Sequence, residues 1–236
     1  MTTRKFAICA LAFCALMLVP AAAFGAKGGN RASASGCNLP ESDAEAIVIL
    51  SNYYPGYWWD HTDLTIAVRA HPTTTAEQMD AITDAIATWS TTLADCFDGL
   101  ITLTDVTGDK RQAADIVIHF APTAGGVVFG GYAICGDHGC PNILVRSAPP
   151  PSLDRDPYDP EYIGWVALHE IGHALGLGHT TNLLESTDLM GYGWPQFGDP
   201  VLSDCDLDAL AFVFAWAISG TEPTAPAEGP YDCSLD

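Results

Sequence analysis

Basic residues are scarce in this chain of 236 residues, which has 9 lysines and arginines against 29 aspartates and glutamates. The formal net charge is therefore −20 at neutral pH. A surface of this sign repels phosphate backbones and anionic headgroups, so nucleic acids and anionic membranes are excluded as partners. The excess of carboxylates fits either calcium sites on the surface or solubility through charge alone.

A second hydrophobic run long enough to span a membrane is also absent. The one marked run covers residues 6–19, follows Arg4 and Lys5, and ends in small residues. It is shorter than the ~20 residues that span a bilayer, which disfavours a membrane anchor. The pattern instead predicts a secretory signal peptide over residues 1–23. We therefore expect a secreted protein, extracellular or periplasmic, that is free of the membrane after signal removal.

Cysteine remains in an even number once the signal is removed, because two of the eight lie within it. The remaining six are Cys37, Cys96, Cys135, Cys140, Cys205 and Cys233. An even number in an exported chain favours disulfide bonds. Cys135 and Cys140 are close enough in sequence to predict a small loop staple. The alternative is a second metal site formed by these two thiolates and His138.

Composition divides the rest of the chain into three parts. Residues 24–44 are rich in Gly, Ala and Ser, which predicts a flexible linker. Residues 220–236 are rich in Pro, Ala and Glu, which predicts a disordered tail. Residues 45–219 are long enough to form one domain with a sizeable core, and they contain no internal repeat.

Hydrophobic periodicity predicts an α+β domain. Alternating or continuous apolar runs predict strands at 64–68, 101–103, 116–120 and 142–145. Thr74 and Glu77 match a capping box for a helix whose apolar side chains extend to Leu93. A second helix is predicted over 161–175. Ser203 is a candidate cap for a third, which would bury Leu207, Leu210 and Phe214.

The most informative stretch is HEIGHALGLGH at 169–179. His169 and His173 are four residues apart, so on a helix both side chains point the same way and can bind one cation. Glu170 lies beside them and can address a water molecule. Gly176 permits the left-handed turn that ends a helix, and His179 can then return as a third ligand. Three protein ligands leave one position open, which is typical of catalytic zinc.

With this motif the chain resembles the metzincin metalloproteases, whose signature adds a later methionine turn. Met190, within Asp-Leu-Met-Gly-Tyr at 188–192, is the candidate for that turn, and its short distance from His179 is similar to the matrixins. Ala-Asp-Ile-Val-Ile at 114–118 and the segment 202–210 also resemble matrixin sequences. The resemblance implies a twisted mixed sheet, a metal-binding active-site helix and a small C-terminal subdomain. It further implies that Glu170 is the general base and that Met190 lies beneath the metal.

The resemblance also implies where a substrate binds. Gly131, Tyr132 and Ala133 precede the motif where matrixins have an edge strand that pairs with a peptide backbone. An ordinary glycine-rich strand end is the alternative. Tyr192 matches the tyrosine that reaches the metal in astacins and serralysins, whereas the matrixin-like spacing makes it a wall of the substrate pocket. Both interpretations remain open.

One further resemblance is weaker. Cys37 begins a Cys-x-x-Pro-acid pattern that is similar to the latency switch of matrixins, in which a pro-segment thiolate covers the zinc. A disulfide is the alternative for Cys37. The acidic loop at 154–161 is a candidate for calcium, although a solvated loop explains it equally well, and the second zinc of matrixins finds no matching pattern.

Together these features predict a secreted, monomeric zinc endopeptidase that acts on protein or peptide substrates. One alternative is a zinc-retaining module that binds extended peptides without cleaving them, and the presence of Glu170 argues against it. The other is an inert acidic protein in which the motif is coincidental.

Overall fold

The computed structural model describes residues 58–109, 113–121, 131–134, 141–146, 159–179, 189–191 and 200–224. In chain order they form β1 (Asp63–Ala70), α1 (Ala76–Cys96), β2 (Thr102–Asp105), β3 (Ile116–Ala121), β4 (Gly131–Ile134), β5 (Asn142–Arg146), α2 (Pro160–Leu175), α3 (Asp204–Val213) and α4 (Ala215–Ile218). The predicted α+β class is confirmed, and each predicted strand and helix has a counterpart.

The strands form one mixed sheet in the order β2-β1-β3-β5-β4. The β1–β2, β1–β3 and β3–β5 pairs are parallel, whereas β4 runs antiparallel to β5. Leu64 and Ile66 of β1 are fully buried, as are Ile116 and Ile118 of β3. Within the described residues β4 is an edge of the sheet, and β4 and β5 pack against α2.

Helix α1 begins one residue later than the sequence predicts. Its capping box is formed by Thr75 and Gln78, not by Thr74 and Glu77. The Gln78 backbone N–H donates to Thr75 Oγ1 over 3.2 Å, and the Thr75 N–H donates to Gln78 Oε1 over 3.0 Å. Both pairs have the spacing of a capping box, and in the structure Gln78 is buried whereas Glu77 is exposed.

The core lies between the sheet and the two long helices. Trp89 and Leu93 of α1 are fully buried there with Ile163 and Ile171 of α2. The helices approach closely at Gly164, where an added Cβ would lie 3.3 Å from the Ala81 carbonyl oxygen. This packing fixes α2 against a rigid support.

Helix α3 begins as the sequence predicts, with Ser203 as its cap. The three predicted core residues are buried, with Leu210 and Phe214 fully so. The short helix α4 follows without having been predicted. Of the helices that the structure describes, none has the length and hydropathy needed to cross a bilayer.

Several predictions fall on parts of the chain that the structure does not describe. They are the signal peptide, the linker, the Cys135–Cys140 staple, and the tail beyond residue 224. Residues 221–224 belong to no helix or strand.

Candidate metal centre

The ends of α2 are determined by its sequence. Asp159 accepts the Glu161 N–H over 3.0 Å as the N-cap, and Pro160 occupies the first turn, where a missing N–H costs no hydrogen bond. Gly176 ends the helix in the left-handed conformation, with φ of 115°. An added Cβ at Gly176 would also lie 2.7 Å from Val213 Cγ1 of α3, so both the backbone and the packing require glycine.

The turn after Gly176 brings the three motif histidines together. Nε2 of His179 lies 3.2 Å from Nε2 of His169 and 3.1 Å from Nε2 of His173. All three candidate ligand atoms lie within 4.8 Å of one another. His169 and His173 are each 8% exposed, so two of the three rings are almost out of contact with water.

Two backbone carbonyls determine which nitrogens face the centre of this triad. His169 Nδ1 lies 2.6 Å from the Leu189 carbonyl oxygen, and His173 Nδ1 lies 2.7 Å from that of Leu177. A carbonyl can only accept, so Nδ1 of each ring carries the proton and Nε2 keeps a lone pair. Such carbonyl partners are usual for metal-binding histidines because they fix the tautomer and ring orientation.

The donor set therefore fits a metal ion. In neutral rings His179 can donate one proton, to one neighbouring Nε2, and the lone pairs across the other contact repel each other. A cation among the three nitrogens would remove that repulsion. Three imidazoles are a ligand set that zinc accepts in catalytic sites.

Burial keeps the histidines neutral, the form that binds metal. It lowers the pKa of His169 to about 4 and, with repulsion from His169, that of His173 to about 3. Burial also places the pKa of His179 well below its ordinary value of 6.5, again with repulsion from the other two rings. All three are ready to bind a cation at neutral pH.

Glu170 follows His169 on α2 and is buried, with 5% of its surface exposed. Its Oε2 is buried and accepts no hydrogen bond within the described part of the chain. Burial raises the pKa of Glu170 to about 8. An orphaned buried carboxylate oxygen needs a donor, and a water molecule in the site would supply one.

Met190 lies directly against α2 at Gly172, between the two helical histidines. The side chain is 1% exposed. A Cβ on Gly172 would lie 2.5 Å from Met190 Sδ and 3.3 Å from Trp89 Cζ2, so the methionine reaches the helix only because residue 172 has no side chain. Met190 thus supports the helix from which His169 and His173 project.

Three supporting contacts could not be predicted from the sequence. The Trp89 indole N–H donates to the Leu168 carbonyl over 2.8 Å, and the Trp59 indole N–H donates to that of Ala174 over 2.7 Å. The N–H of Leu189, whose carbonyl holds His169, donates to the Val201 carbonyl over 2.8 Å. Backbone carbonyls have no sequence signature, whereas the N–H of a buried tryptophan usually finds an acceptor, as both do here.

No protein-family model matches this chain. It is 27% identical over 192 residues to the interstitial collagenase of Sus scrofa, an alignment that covers 71% of this chain. The chain spans 35% of the length of that relative. This similarity agrees with the resemblance to the metzincins that the histidine motif and Met190 carry.

Two solved structures are also similar to this chain. Archaemetzincin from Methanopyrus kandleri is 17% identical with a TM-score of 0.45, and the match covers 65% of this chain and 97% of that one. The hatching enzyme HCE-1, a zinc-protease from Oryzias latipes, is 17% identical with a TM-score of 0.31, covering 52% and 50% of the two chains. At TM-scores below 0.5 neither similarity supports a further inference about this chain.

The other predicted site residues divide into described and undescribed positions. Gly131, Tyr132 and Ala133 lie on β4, at the sheet edge and against α2, as the metzincin resemblance implies. Tyr192 and Cys37 lie outside the described residues, as do the acids of the 154–161 loop that precede Asp159. Asp159 itself caps α2.

Proposed function

We propose that this chain is a zinc-dependent endopeptidase whose metal is held by His169, His173 and His179. The observation that carries the proposal is the convergence of three Nε2 atoms beside a buried glutamate. A zinc ion bound there supplies a Lewis acid and lowers the pKa of a coordinated water from 15.7 to about 7.

Glu170 acts in this proposal as the general base. Its carboxylate accepts a proton from the attacking water and then gives it to the amine that leaves the cut peptide bond. Burial raises its pKa to about 8 when no metal is present, and a neighbouring cation favours the charged form that accepts a proton. Oε2 of Glu170 accepts no hydrogen bond within the described residues, so it is available to take up and release that proton.

The edge strand β4 is the proposed binding surface for substrate. Its Tyr132 and Ile134 pair with Leu144 and Asn142 of β5 on one side. The opposite side is an edge among the described strands, where an extended peptide can add by backbone hydrogen bonds. This mode of binding depends little on sequence, so we propose peptides or proteins as substrates. Tyr192 would either form a wall of the substrate pocket or reach the metal.

The finer classification is also part of the proposal. The similarity to a collagenase and the short spacing from His179 to Met190 support a matrixin-like enzyme. Secretion through the signal at 1–23 is supported by the sequence pattern and by the six cysteines that remain after its removal, an even number that favours disulfide bonds in an exported chain. We propose a monomer with bound zinc, and calcium as a candidate second ion.

The direct test is digestion of a peptide library by the purified mature protein, with and without a chelator, read by mass spectrometry. We expect cleavage that the chelator abolishes and that added zinc restores. Retention of zinc with no cleavage of any peptide would instead favour the module that binds extended peptides. Absence of bound metal would contradict both.

A substitution at Glu170 tests the role of the base. We expect Glu170→Gln to retain zinc and to lose at least about 100-fold in kcat, because the amide cannot accept a proton. Glu161→Gln is the matched control, since Glu161 is an exposed acid on the same helix. Full activity in a zinc-loaded Glu170→Gln protein would show that another group is the base.

A further inference from the structure

The edge strand touches the proposed general base at one residue. Gly131 begins β4 and is paired there with Val145 of β5. A Cβ built on Gly131 would lie 2.6 Å from Glu170 Cγ and 2.7 Å from Glu170 Oε1. Both distances are far shorter than the ~3.5–4.0 Å at which non-bonded carbon atoms are in favourable contact. The carboxylate therefore occupies the space that a side chain at position 131 would fill.

The requirement for glycine at this position is steric. The residue is not in the left-handed region, so its backbone conformation is open to alanine. The third close atom is Val166 Cγ1 at 2.8 Å, on the same helix as Glu170 and one turn earlier. Val166 is buried and β-branched, so it cannot move aside easily. Glu170 is the neighbour that would have to turn away.

The next residue on the same face of the strand behaves differently. Side chains two apart on a strand point the same way, so Ala133 faces the helix as Gly131 does. Ala133 has its Cβ and is accommodated with 5% exposure. The absence of a side chain is thus a property of one position, the one opposite Glu170, and not of the whole strand.

We propose that Gly131 is a positioning residue for the general base, a role that rests on the proposed function. The strand backbone passes against Glu170 and limits where its carboxylate can lie. The strand that would pair with the substrate backbone thereby also sets the place of the group that removes a proton from water. The contact between Gly131 and Glu170 thus relates the position of the bound peptide to that of the base.

The first experiment compares Gly131→Ala with wild type in steady-state kinetics on one peptide substrate. We expect kcat to fall about 100-fold, because displacing a catalytic group by about 1 Å costs that much. KM and zinc content should stay near the wild-type values, since the added methyl faces α2, the backbone N–H and C=O groups of β4 remain, and no histidine changes. An unchanged kcat, or a loss that lies in KM alone, would overturn the proposal.

The matched control is Gly164→Ala, a change of the same size on α2. Its added Cβ would meet the Ala81 carbonyl oxygen at 3.3 Å, facing α1 and away from β4. We expect its kcat to stay near that of wild type. A fall as large as that of Gly131→Ala would mean that any tightening around α2 impairs turnover, and the proposal would be rejected.

A second measurement does not depend on activity. Thermal unfolding of the zinc-free protein is compared for wild type, Gly131→Ala, Glu170→Ala and the double variant. If the added methyl clashes with Glu170, its effect on Tm is smaller when residue 170 is alanine, while the part that comes from Val166 remains in both backgrounds. Equal effects in the two backgrounds would overturn the contact with Glu170.

The two measurements separate this inference from the proposed function. A wild-type protein that cleaves no peptide would refute the endopeptidase, and the unfolding cycle would still report whether Gly131 sets the position of Glu170. A cleaving enzyme with additive Tm effects would keep the function and refute the role of Gly131.

Discussion

Because Gly172 has no side chain, Met190 and Trp89 can pack directly against the turn of α2 between His169 and His173. Gly172 lies between His169 and His173 in the motif, and its open side is filled by Met190 Sδ and the edge of Trp89. The methionine and the tryptophan thereby fix the helix turn that carries both ligands. A cavity or a bulge at this point would be transmitted directly to the imidazoles, because closely packed interiors adjust little.

We expect Gly172→Ala to destabilise the protein and weaken zinc binding. An added Cβ would lie 2.5 Å from Met190 Sδ, and overpacking of this kind costs about 1–3 kcal/mol. Thermal unfolding gives the loss of stability, and competition with a chelator gives the zinc affinity. The control is Gly164→Ala, which adds the same methyl elsewhere on α2. If Gly172→Ala behaved like that control, Met190 would not be supporting the site.

The sequence predicted the cluster of histidines better than its surroundings. The spacing of His169, His173 and His179 follows from helix geometry and one turn, which are local, and the structure brings these three residues together. The carbonyls of Leu177 and Leu189 that orient the rings come from backbone that any residue type provides. Nothing in a residue's identity marks it as such an acceptor.

At the level of elements, the C-terminal end of α2 determines where His179 lies. The helix stops at Gly176, the chain turns, and His179 reaches the other two histidines. Two N–H groups secure the turn, that of Gly176 to the His173 carbonyl and that of Leu177 to the Gly172 carbonyl, both over 3.0 Å. Val213 of α3 covers the same glycine, so the small C-terminal helix holds this turn in place.

Gly176→Ala should therefore separate His179 from the other ligands. Alanine is strained at φ of 115° and would also meet Val213, so we expect a loss of more than about 1 kcal/mol in stability together with weaker zinc binding. Gly220→Ala is the matched control, because Gly220 has φ of 67° and no atom within 4 Å of an added Cβ. Unfolding and zinc titration of both variants separate backbone strain from the contact with Val213. Equal zinc affinity in the two would contradict the role of the turn.

Prediction of elements succeeded where the period was clear and failed at boundaries. Alternating apolar residues identified β1 and β3, and the helical period identified α1, because each pattern reflects burial of one face. The start of α1 was wrong by one residue because Thr74–Glu77 and Thr75–Gln78 both match the capping pattern. The choice between them depends on the burial of Gln78, which is a tertiary fact.

For the whole molecule, the pH dependence of the stability of the zinc-free protein should reveal the cost of burying these titratable groups. Burial lowers the pKa of His169 to about 4 and that of His173 to about 3, so the unfolded chain takes up protons first as pH falls below 6.5. Stability of the zinc-free protein is lost in that range. Burial raises the pKa of Glu170 from 4.5 to about 8, so the folded chain holds the extra proton and stability is lost as pH rises toward 8.

The zinc-free protein should then be most stable near pH 6.5, where the acidic and alkaline losses meet. Tm measured from pH 4 to pH 9 checks this, and Glu170→Gln should remove the alkaline fall while leaving the acidic one. An alkaline fall that persists in that variant would mean that other groups cause it. Added zinc should raise Tm at neutral pH, because a ligand that binds only the folded state stabilises it.

The bond from Leu189 to Val201 has a consequence for biosynthesis. His169 is oriented by the Leu189 carbonyl, and the Leu189 N–H is in turn bonded to the Val201 carbonyl. A nascent chain that ends at His179 has all three imidazoles but lacks the two hydrogen bonds that orient the ring of His169. We therefore expect tight metal binding only in chains that extend beyond Val201.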